Sequence, residues 1–161
     1  MKERPEDKSI PDMGVACDGD ADRHMVLGRR WFVSPGDSAA LLASNFKSFL
    51  KGPLLGVARS VGTAASLDQV AKAFGIPYYE TPVGWKFSAN LLDAGKINLI
   101  GEEAFGTSSN HIREKDGIWA LLAWLSVLSD KNKERPEGEF FGVPQCMEEF
   151  WKKFGRNYFL R

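Results

Sequence analysis

The chain has 161 residues, of which 43% are apolar and 12% aromatic, a composition that excludes an intrinsically disordered protein and suits one domain with a hydrophobic core. Its 21 basic residues balance its 21 acidic residues, so no net charge recruits nucleic acid or a membrane surface as a partner. Two cysteines without metal-binding or disulfide spacing, no apolar leader and no apolar run of about 20 residues predict a reduced, cytoplasmic protein that does not span a membrane.

The first predicted elements surround an acidic run, DGDADR, at residues 18–23. Residues 1–12 are charged, contain two prolines and lack periodicity, so they are predicted to form a flexible tail or linker. Short apolar stretches at Met13–Cys17 and Met25–Gly28 predict two strands, with the acidic run as the loop between them. A different pattern starts after about Trp31, so this strand-loop-strand unit is expected to belong to a neighbouring domain of a truncated chain.

A regular alternation of helices and strands follows. In chain order, the predicted elements are a helix over Ala39–Phe46 with its start signal at Ser34–Ser38, a strand over Leu55–Arg59, a helix over Ala64–Phe74 ended by Gly75, a strand over Ile76–Glu80, a helix over Phe87–Asp93 ended by Gly95 and a strand over Ile97–Gly101. Apolar strands joined by helices indicate an α/β fold, with a mostly parallel or mixed sheet and packed helices.

The last third of the chain contains fewer strands. Asp116 is expected to cap a helix over Ile118–Leu128, and the near absence of a polar face predicts that this helix is buried. Lys131–Glu139 is predicted to be a charged surface excursion, followed by an amphipathic helix over Met147–Phe154 and a strand over Asn157–Leu160.

The acidic run DGDADR is the first candidate site. In an extended loop, the side chains of Asp18, Asp20 and Asp22 point to one side. Three carboxylates repel one another unless a cation neutralises them, and oxygen ligands favour Mg²⁺, Mn²⁺ or Ca²⁺. An EF-hand is excluded, because that loop needs glycine and glutamate where this chain has Arg23 and Arg29. An acidic surface turn is the alternative, but Arg23 favours an anion, such as phosphate, that shares the metal.

Two further loops follow predicted strands, where open α/β sheets place their ligand crevices. In the loop after Gly101, Glu102 and the cationic Arg113 or Lys115 could hold a polar ligand, and a solvated loop is the alternative. In the loop TPVGWK, the side chain of Trp85 suits either stacking on a sugar face or a place in the core.

Three motifs in order resemble the α-D-phosphohexomutase family: DGDADR, TPVGWKF and GEEAFGTSSNHIREKDGIWALLAWL. The likeness covers nearly the whole chain after Met13, and the GWKF and REKDG forms resemble the phosphoglucomutase branch rather than the phosphomannomutase branch. The resemblance implies a four-domain enzyme, of which residues 13–30 would be the end of the metal-binding second domain and residues 31–161 the sugar-binding third domain.

The resemblance also implies an activity: interconversion of glucose 1-phosphate and glucose 6-phosphate through glucose 1,6-bisphosphate and an active-site phosphoserine. Mg²⁺ would be the cofactor, and the partners would be these glucose phosphates and the remaining domains of the same enzyme. By analogy, the metal ligands would be Asp18, Asp20 and Asp22, the catalytic residues Arg23 and Lys115, and the substrate-binding residues Thr81, Gly84, Trp85, Glu102 and Ala104.

Two departures from the family pattern bear on function. Ala104 stands where the family motif GEESFG has a serine, so one hydroxyl contact with the sugar is lost. The sequence contains no TxSHNP-like phosphoserine loop, so this fragment is expected to be inactive by itself. The alternatives are a catalytically weak paralogue with a structural, secretory or binding role, which Ala104 favours, and a free-standing sugar-phosphate-binding module.

Overall fold

The computed structural model describes residues 10–158, which form two sheets and five α-helices. The first sheet is antiparallel and contains, in order, β1 (Met13–Cys17), β2 (His24–Gly28) and β3 (Trp31–Phe32). The second sheet contains β4 (Val57–Ser60), β5 (Tyr78–Thr81), β6 (Leu99–Gly101) and β7 (Thr107–Ser109). The helices are α1 (Pro35–Ser44), α2 (Ser66–Phe74), α3 (Trp85–Asp93), α4 (Gly117–Asn132) and α5 (Val143–Phe154).

The second sheet has the strand order β5-β4-β6-β7 and is mixed. Strand β4 pairs in parallel with both β5 and β6, whereas β7 pairs antiparallel with β6. The predicted α/β fold class with helices packed on a mostly parallel or mixed sheet is confirmed, as is the strand-loop-strand unit before it. The residues of β7 were expected in a polar loop, because Thr107–Ser109 has no apolar residue to reveal a buried strand.

The two faces of this sheet pack against different helices. Val57 and Leu99 point to the main core, which also contains α1, α4 and α5, and Val26 of β2 belongs to the same core. Ala58 and Ile100 point to the opposite face, where a smaller cluster includes Leu92 of α3. Because neighbouring strand residues face opposite sides, helices cover the central strands on both faces.

Helix boundaries follow the predicted capping residues. The Ser34 hydroxyl accepts a hydrogen bond from the Asp37 backbone N–H at 3.3 Å and caps α1. Gly75 adopts a left-handed conformation, φ 66°, and ends α2. The Asp116 carboxylate accepts from the Trp119 backbone N–H at 2.8 Å and starts α4 as predicted.

Three helices start two or more residues earlier than predicted. Helix α1 begins at Pro35 rather than Ala39, inside its predicted start signal. Helix α3 begins at Trp85 rather than Phe87, directly after Gly84. Helix α5 begins at Val143 rather than Met147, because the Gln145 side-chain oxygen accepts the Gly142 backbone N–H at 3.0 Å and caps the first turn.

The prediction that the apolar helix, α4, is buried is wrong for one of its sides. Helix α4 packs against β2, β7 and α1, and this side contains buried residues such as Trp124 and Val127. On the other side, Ile118, Leu122 and Leu125 are 50%, 57% and 45% exposed. Only one side of α4 meets another element of the described residues, so its apolar composition overstated its burial.

The predicted C-terminal strand does not form where the structure describes it. Asn157 and Tyr158 are outside regular secondary structure, and the Asn157 side-chain amide donates a hydrogen bond to the Ser66 hydroxyl at 2.7 Å. Phe159 and Leu160 of that prediction, and residues 1–9 of the predicted tail, lie outside the described residues. Among residues 10–158, no helix combines the length and apolar character needed to cross a membrane.

The two cysteines are predicted to differ in reactivity. Burial raises the pKa of the Cys146 thiol to about 11, whereas Cys17 is exposed. Because the thiolate is the form that alkylates, iodoacetamide near neutral pH should label Cys17 and spare Cys146 in the folded protein. Mass spectrometry before and after unfolding in urea measures both sites. Equal labelling of the two cysteines in the native protein would contradict this placement.

Candidate functional site

The DGDADR loop brings its three carboxylates together. Asp18, Asp20 and Asp22 each have one carboxylate oxygen that lies within 4.8 Å of those of the other two. A tight turn produces this convergence, because the Ala21 backbone N–H donates to the Asp18 carbonyl at 3.1 Å and Ala21 has a φ of 57°. The carboxylates thus converge because the loop turns, whereas the alternating spacing was interpreted for an extended loop.

Arg23 is the cation closest to these carboxylates in the described structure. Its Nε lies 2.7 Å from Asp18 Oδ2 and 3.2 Å from Asp22 Oδ1. Burial raises the pKa of the Asp18 carboxyl. The hydrogen bond from the Arg23 backbone N–H and the charge of the Arg23 guanidinium lower this pKa by more, so it falls below its ordinary value. Three carboxylates and one guanidinium leave an excess of negative charge, which favours a bound cation.

Backbone contacts fix the DGDADR loop against two other parts of the chain. The His24 backbone N–H donates to the Phe105 carbonyl at 3.1 Å, beside an isolated β-bridge between Arg23 and Gly106. The Gly117 backbone N–H, at the start of α4, donates to the Ala21 carbonyl at 2.9 Å. The acidic loop, the turn after β6 and the N-terminus of α4 therefore form one unit.

Lys115 lies between carboxylates from two of these segments. Its Nζ is 3.5 Å from Glu102 Oε2 and 3.8 Å from Asp22 Oδ2. Glu102 follows β6 and is only 5% exposed, so its charge requires a partner. Gly106 permits this approach, because a Cβ at this position would come within 2.8 Å of Lys115 Cδ and 3.0 Å of Glu102 Oε2.

The third predicted loop reaches the same region through Trp85. The Trp85 indole N–H donates to the Arg113 carbonyl at 2.8 Å, and Lys115 Nζ lies 6.0 Å from the ring centroid. Gly84 has a φ of 129° and allows the sharp entry into α3. Thr81 is buried, and its hydroxyl contacts the Arg59 carbonyl rather than open space, so it fixes the end of β5.

Ala104 lies at the surface of a cavity of about 390 Å³ between the acidic loop and the turn after β6. The cavity is also lined by Asp18, Arg23, Glu103 and Phe105. Burial raises the pKa of the Glu103 carboxyl. Ala104 therefore borders a cavity that Asp18 of the acidic loop also lines, and its side chain offers no hydrogen bond there.

Sequence reasoning missed one residue that supports the site. Arg59, at the end of β4, is 8% exposed and makes two hydrogen bonds of 2.8 Å to the Asp68 carboxylate. It also donates to the Thr63 carbonyl at 3.1 Å, and the Thr63 hydroxyl accepts the Glu103 backbone N–H at 2.9 Å. An arginine inside an apolar strand was the available signal, because arginine is seldom buried without a partner.

Comparison with known proteins identifies relatives over nearly the whole chain. Residues 35–140 match the family model described as phosphoglucomutase/phosphomannomutase, alpha/beta/alpha domain III. Phosphoglucomutase-2 of Paramecium tetraurelia is 56% identical over 153 residues, covering 95% of this chain and 26% of that protein. The cytoplasmic phosphoglucomutase of Pisum sativum is 50% identical over 163 residues, covering 99% of this chain and 28% of that protein. Other matched plant relatives are named chloroplastic.

A solved structure shows the same fold. The open form of the exocytosis-sensitive phosphoprotein pp63/parafusin, a phosphoglucomutase from Paramecium, has a TM-score of 0.91 and 55% identity, over 96% of this chain and 27% of the other. The chain thus spans about a quarter of the length of the curated relatives it matches.

The contact between α4 and the acidic loop predicts a steric effect of Gly117→Ala. The new Cβ would lie 2.7 Å from the Ala21 carbonyl oxygen and 2.8 Å from the Arg23 carbonyl oxygen. Because backbone atoms cannot move aside independently, we expect the free energy of unfolding to fall by about 1–3 kcal/mol in urea titrations. Gly62→Ala is the matched control, since its Cβ would meet nothing within 4 Å. Equal stability of the two variants would rule out the tight contact.

Proposed function

The chain belongs to the phosphoglucomutase/phosphomannomutase family, and from this premise we propose that it is the metal-loop and sugar-binding part of a phosphoglucomutase. The complete enzyme would interconvert glucose 1-phosphate and glucose 6-phosphate through a phosphoserine and glucose 1,6-bisphosphate. The observation that carries the proposal is Lys115, whose Nζ lies near both Glu102 and Asp22. In this proposal, residues 13–30 end a second domain, residues 31–161 form the third, and the remaining domains supply the phosphoserine.

The acidic loop fits Mg²⁺ as the cofactor of this reaction. Its donors are all carboxylate oxygens, and those of Asp18, Asp20 and Asp22 converge within 4.8 Å. These three residues would hold the ion, which when bound supplies charge stabilisation to a transferred phosphoryl group. Arg23 contacts Asp18 and Asp22, so in this proposal its guanidinium would lie beside the phosphate that shares the ion.

The other site residues would bind and orient the sugar. The buried Glu102 carboxylate would accept hydrogen bonds from sugar hydroxyls, and Lys115 would hold or move a proton at Nζ beside the transferred group. The Trp85 indole N–H donates to the Arg113 carbonyl, and its ring beside Lys115 would form one wall for the sugar. Thr81 and Gly84 would shape the turn that presents this ring.

The partners in this proposal are glucose phosphates, glucose 1,6-bisphosphate and the other domains of the enzyme. A cytoplasmic location is also proposed, because the Pisum sativum relative is named cytoplasmic, although other plant relatives are named chloroplastic.

A catalytically weak paralogue with a secretory, structural or binding role is the second candidate. Two observations favour it: Ala104 borders the cavity beside the acidic loop without a hydroxyl, and one structural relative is named an exocytosis-sensitive phosphoprotein. The same relative is also named a phosphoglucomutase, so the two roles are compatible in one protein. Absence of mutase activity in the complete wild-type protein would favour this candidate over the first.

The metal assignment predicts that Asp20→Ala abolishes mutase activity in the complete protein. Loss of one of three charged ligands should reduce kcat by at least about 100-fold, the scale seen when a group that stabilises transition-state charge is removed. A coupled assay of glucose 6-phosphate formation in Mg²⁺ measures the effect. Asp12→Ala is the control, because Asp12 pairs with Arg29 outside the loop. Unchanged activity in Asp20→Ala would sink the assignment.

The sugar-binding assignment predicts a gain from Ala104→Ser. A hydroxyl at this position could restore one hydrogen bond, worth about 1 kcal/mol, and should lower KM for glucose phosphates several-fold. Steady-state kinetics of the complete protein measure KM and kcat separately. Ala16→Ser, at another position lining the same cavity, is the control. If Ala104→Ser leaves KM unchanged, the position makes no contact that matters for sugar binding.

A further inference from the structure

His111 connects two elements across the loop between β7 and α4. Its Nδ1 pairs with the Ser109 hydroxyl at 2.8 Å, and its Nε2 lies 2.9 Å from Asp116 Oδ2. The ring stacks on Trp119, with centroids 5.3 Å apart and planes inclined by 18°. The imidazole thus has both nitrogens engaged and one face covered.

The Asp116 carboxylate has a second task. Its other oxygen accepts the Trp119 backbone N–H at 2.8 Å and caps α4, and its own backbone N–H donates to the Thr107 carbonyl at 3.3 Å. Burial raises the pKa of Asp116, but the hydrogen bonds from His111 and Trp119 lower it to below its ordinary value. An ionised carboxylate is therefore shared between the helix cap and the histidine.

The neighbours of Asp116 are the residues that meet the acidic loop and the sheet. Lys115 lies near Glu102 and Asp22, and Gly117 donates to the Ala21 carbonyl at 2.9 Å. A displacement of Asp116 would move both neighbours, because they adjoin it in the chain.

A catalytic triad is excluded by burial. The order Ser109, His111, Asp116 resembles the serine, histidine and carboxylate of hydrolases. The Ser109 side chain is fully buried, however, with an exposed fraction of 0%, so no substrate reaches its hydroxyl. The hydrogen bonds have a structural role instead, because they connect the edge strand β7 to Asp116, which caps α4.

We propose that His111 is a positioning residue that anchors Asp116 to β7 and so fixes Lys115 between Glu102 and Asp22. The positional part rests only on the geometry above, and its consequence for catalysis rests on the proposed function. The bond from Nε2 to Asp116 carries the effect, while the bond to Ser109 orients the ring.

The positional part can be tested in this chain without any activity. Hydrogen exchange of the Trp119 amide reports the cap, and acetylation of Lys115 by an N-hydroxysuccinimide ester reports the freedom of its amine. In His111→Ala, we expect Trp119 exchange and Lys115 labelling to rise by about tenfold, because a hydrogen bond to a charged group is lost. Both rates are read by NMR and mass spectrometry under conditions where the variant is folded.

Two conservative variants separate the bonds. A glutamine amide nitrogen reaches the position of Nε2, so His111→Gln should restore both rates to near the wild-type values. An asparagine amide reaches only the position of Nδ1, so His111→Asn should behave like the alanine variant. Wild-type rates in His111→Ala, or no rescue by His111→Gln, would overturn the proposal.

Lys131, at the other end of α4, is the internal control. It pairs with Glu149 at 2.7 Å, and Glu149→Gln should raise labelling of Lys131 but not of Lys115. A parallel rise of Lys115 and Lys131 labelling in His111→Ala would mean general loosening and would also overturn the proposal.

The catalytic consequence is measured in the complete enzyme. His111→Ala should lower kcat about tenfold or more with little change in KM, because Lys115 is misplaced while the sugar contacts persist. His111→Gln should recover most of kcat. If the wild-type enzyme itself has no mutase activity, the proposed function fails while the exchange and labelling results still decide the positional proposal. A larger effect on KM than on kcat would contradict the assignment to Lys115.

Discussion

The candidate site depends on the position of one ammonium group, that of Lys115, which lies near carboxylates from two segments. Lys115 Nζ lies 3.5 Å from the buried carboxylate of Glu102, which follows β6, and 3.8 Å from Asp22 of the acidic loop. A buried carboxylate without a cation would be costly, and three converging carboxylates repel one another. Lys115 and Arg23 together offset this charge and leave an excess that a divalent ion can neutralise. The charge of Lys115 thus stabilises both the Glu102 carboxylate and the carboxylates of the acidic loop.

The fold meets this requirement through short elements at the carboxyl edge of its sheet. Strands β4, β5 and β6 are parallel, so the loops that follow them open at one edge. Strand β7 then returns antiparallel, and α4 starts beside the acidic loop. The buried pair of Arg59 and Asp68 supports the loop after β4, which in turn holds the backbone of Glu103. Because the backbone of the acidic loop is bonded to the turn after β6, the cavity lined by Ala104 lies next to the acidic loop.

The sequence predicted elements whose signals are local. Capping by Ser34 and Asp116, the left-handed Gly75 and the alternation of apolar runs depend on neighbouring residues, and these predictions agree with the structure. Strand β7 carries no apolar pattern, and the exposed side of α4 depends on which elements pack against it, so neither was visible in the sequence. The hydrogen bonds of His111 join residues that only the folded turn brings together, and spacing alone could not reveal them.

A crystal structure of the complete protein with Mg²⁺ and glucose 1,6-bisphosphate tests the central claim most directly. The account predicts an ion held by Asp18, Asp20 and Asp22, sugar hydroxyls within hydrogen-bond distance of Glu102, and Lys115 Nζ beside the group that is transferred. A sugar phosphate bound away from Glu102 and Lys115, with the ion elsewhere than the acidic loop, would contradict it.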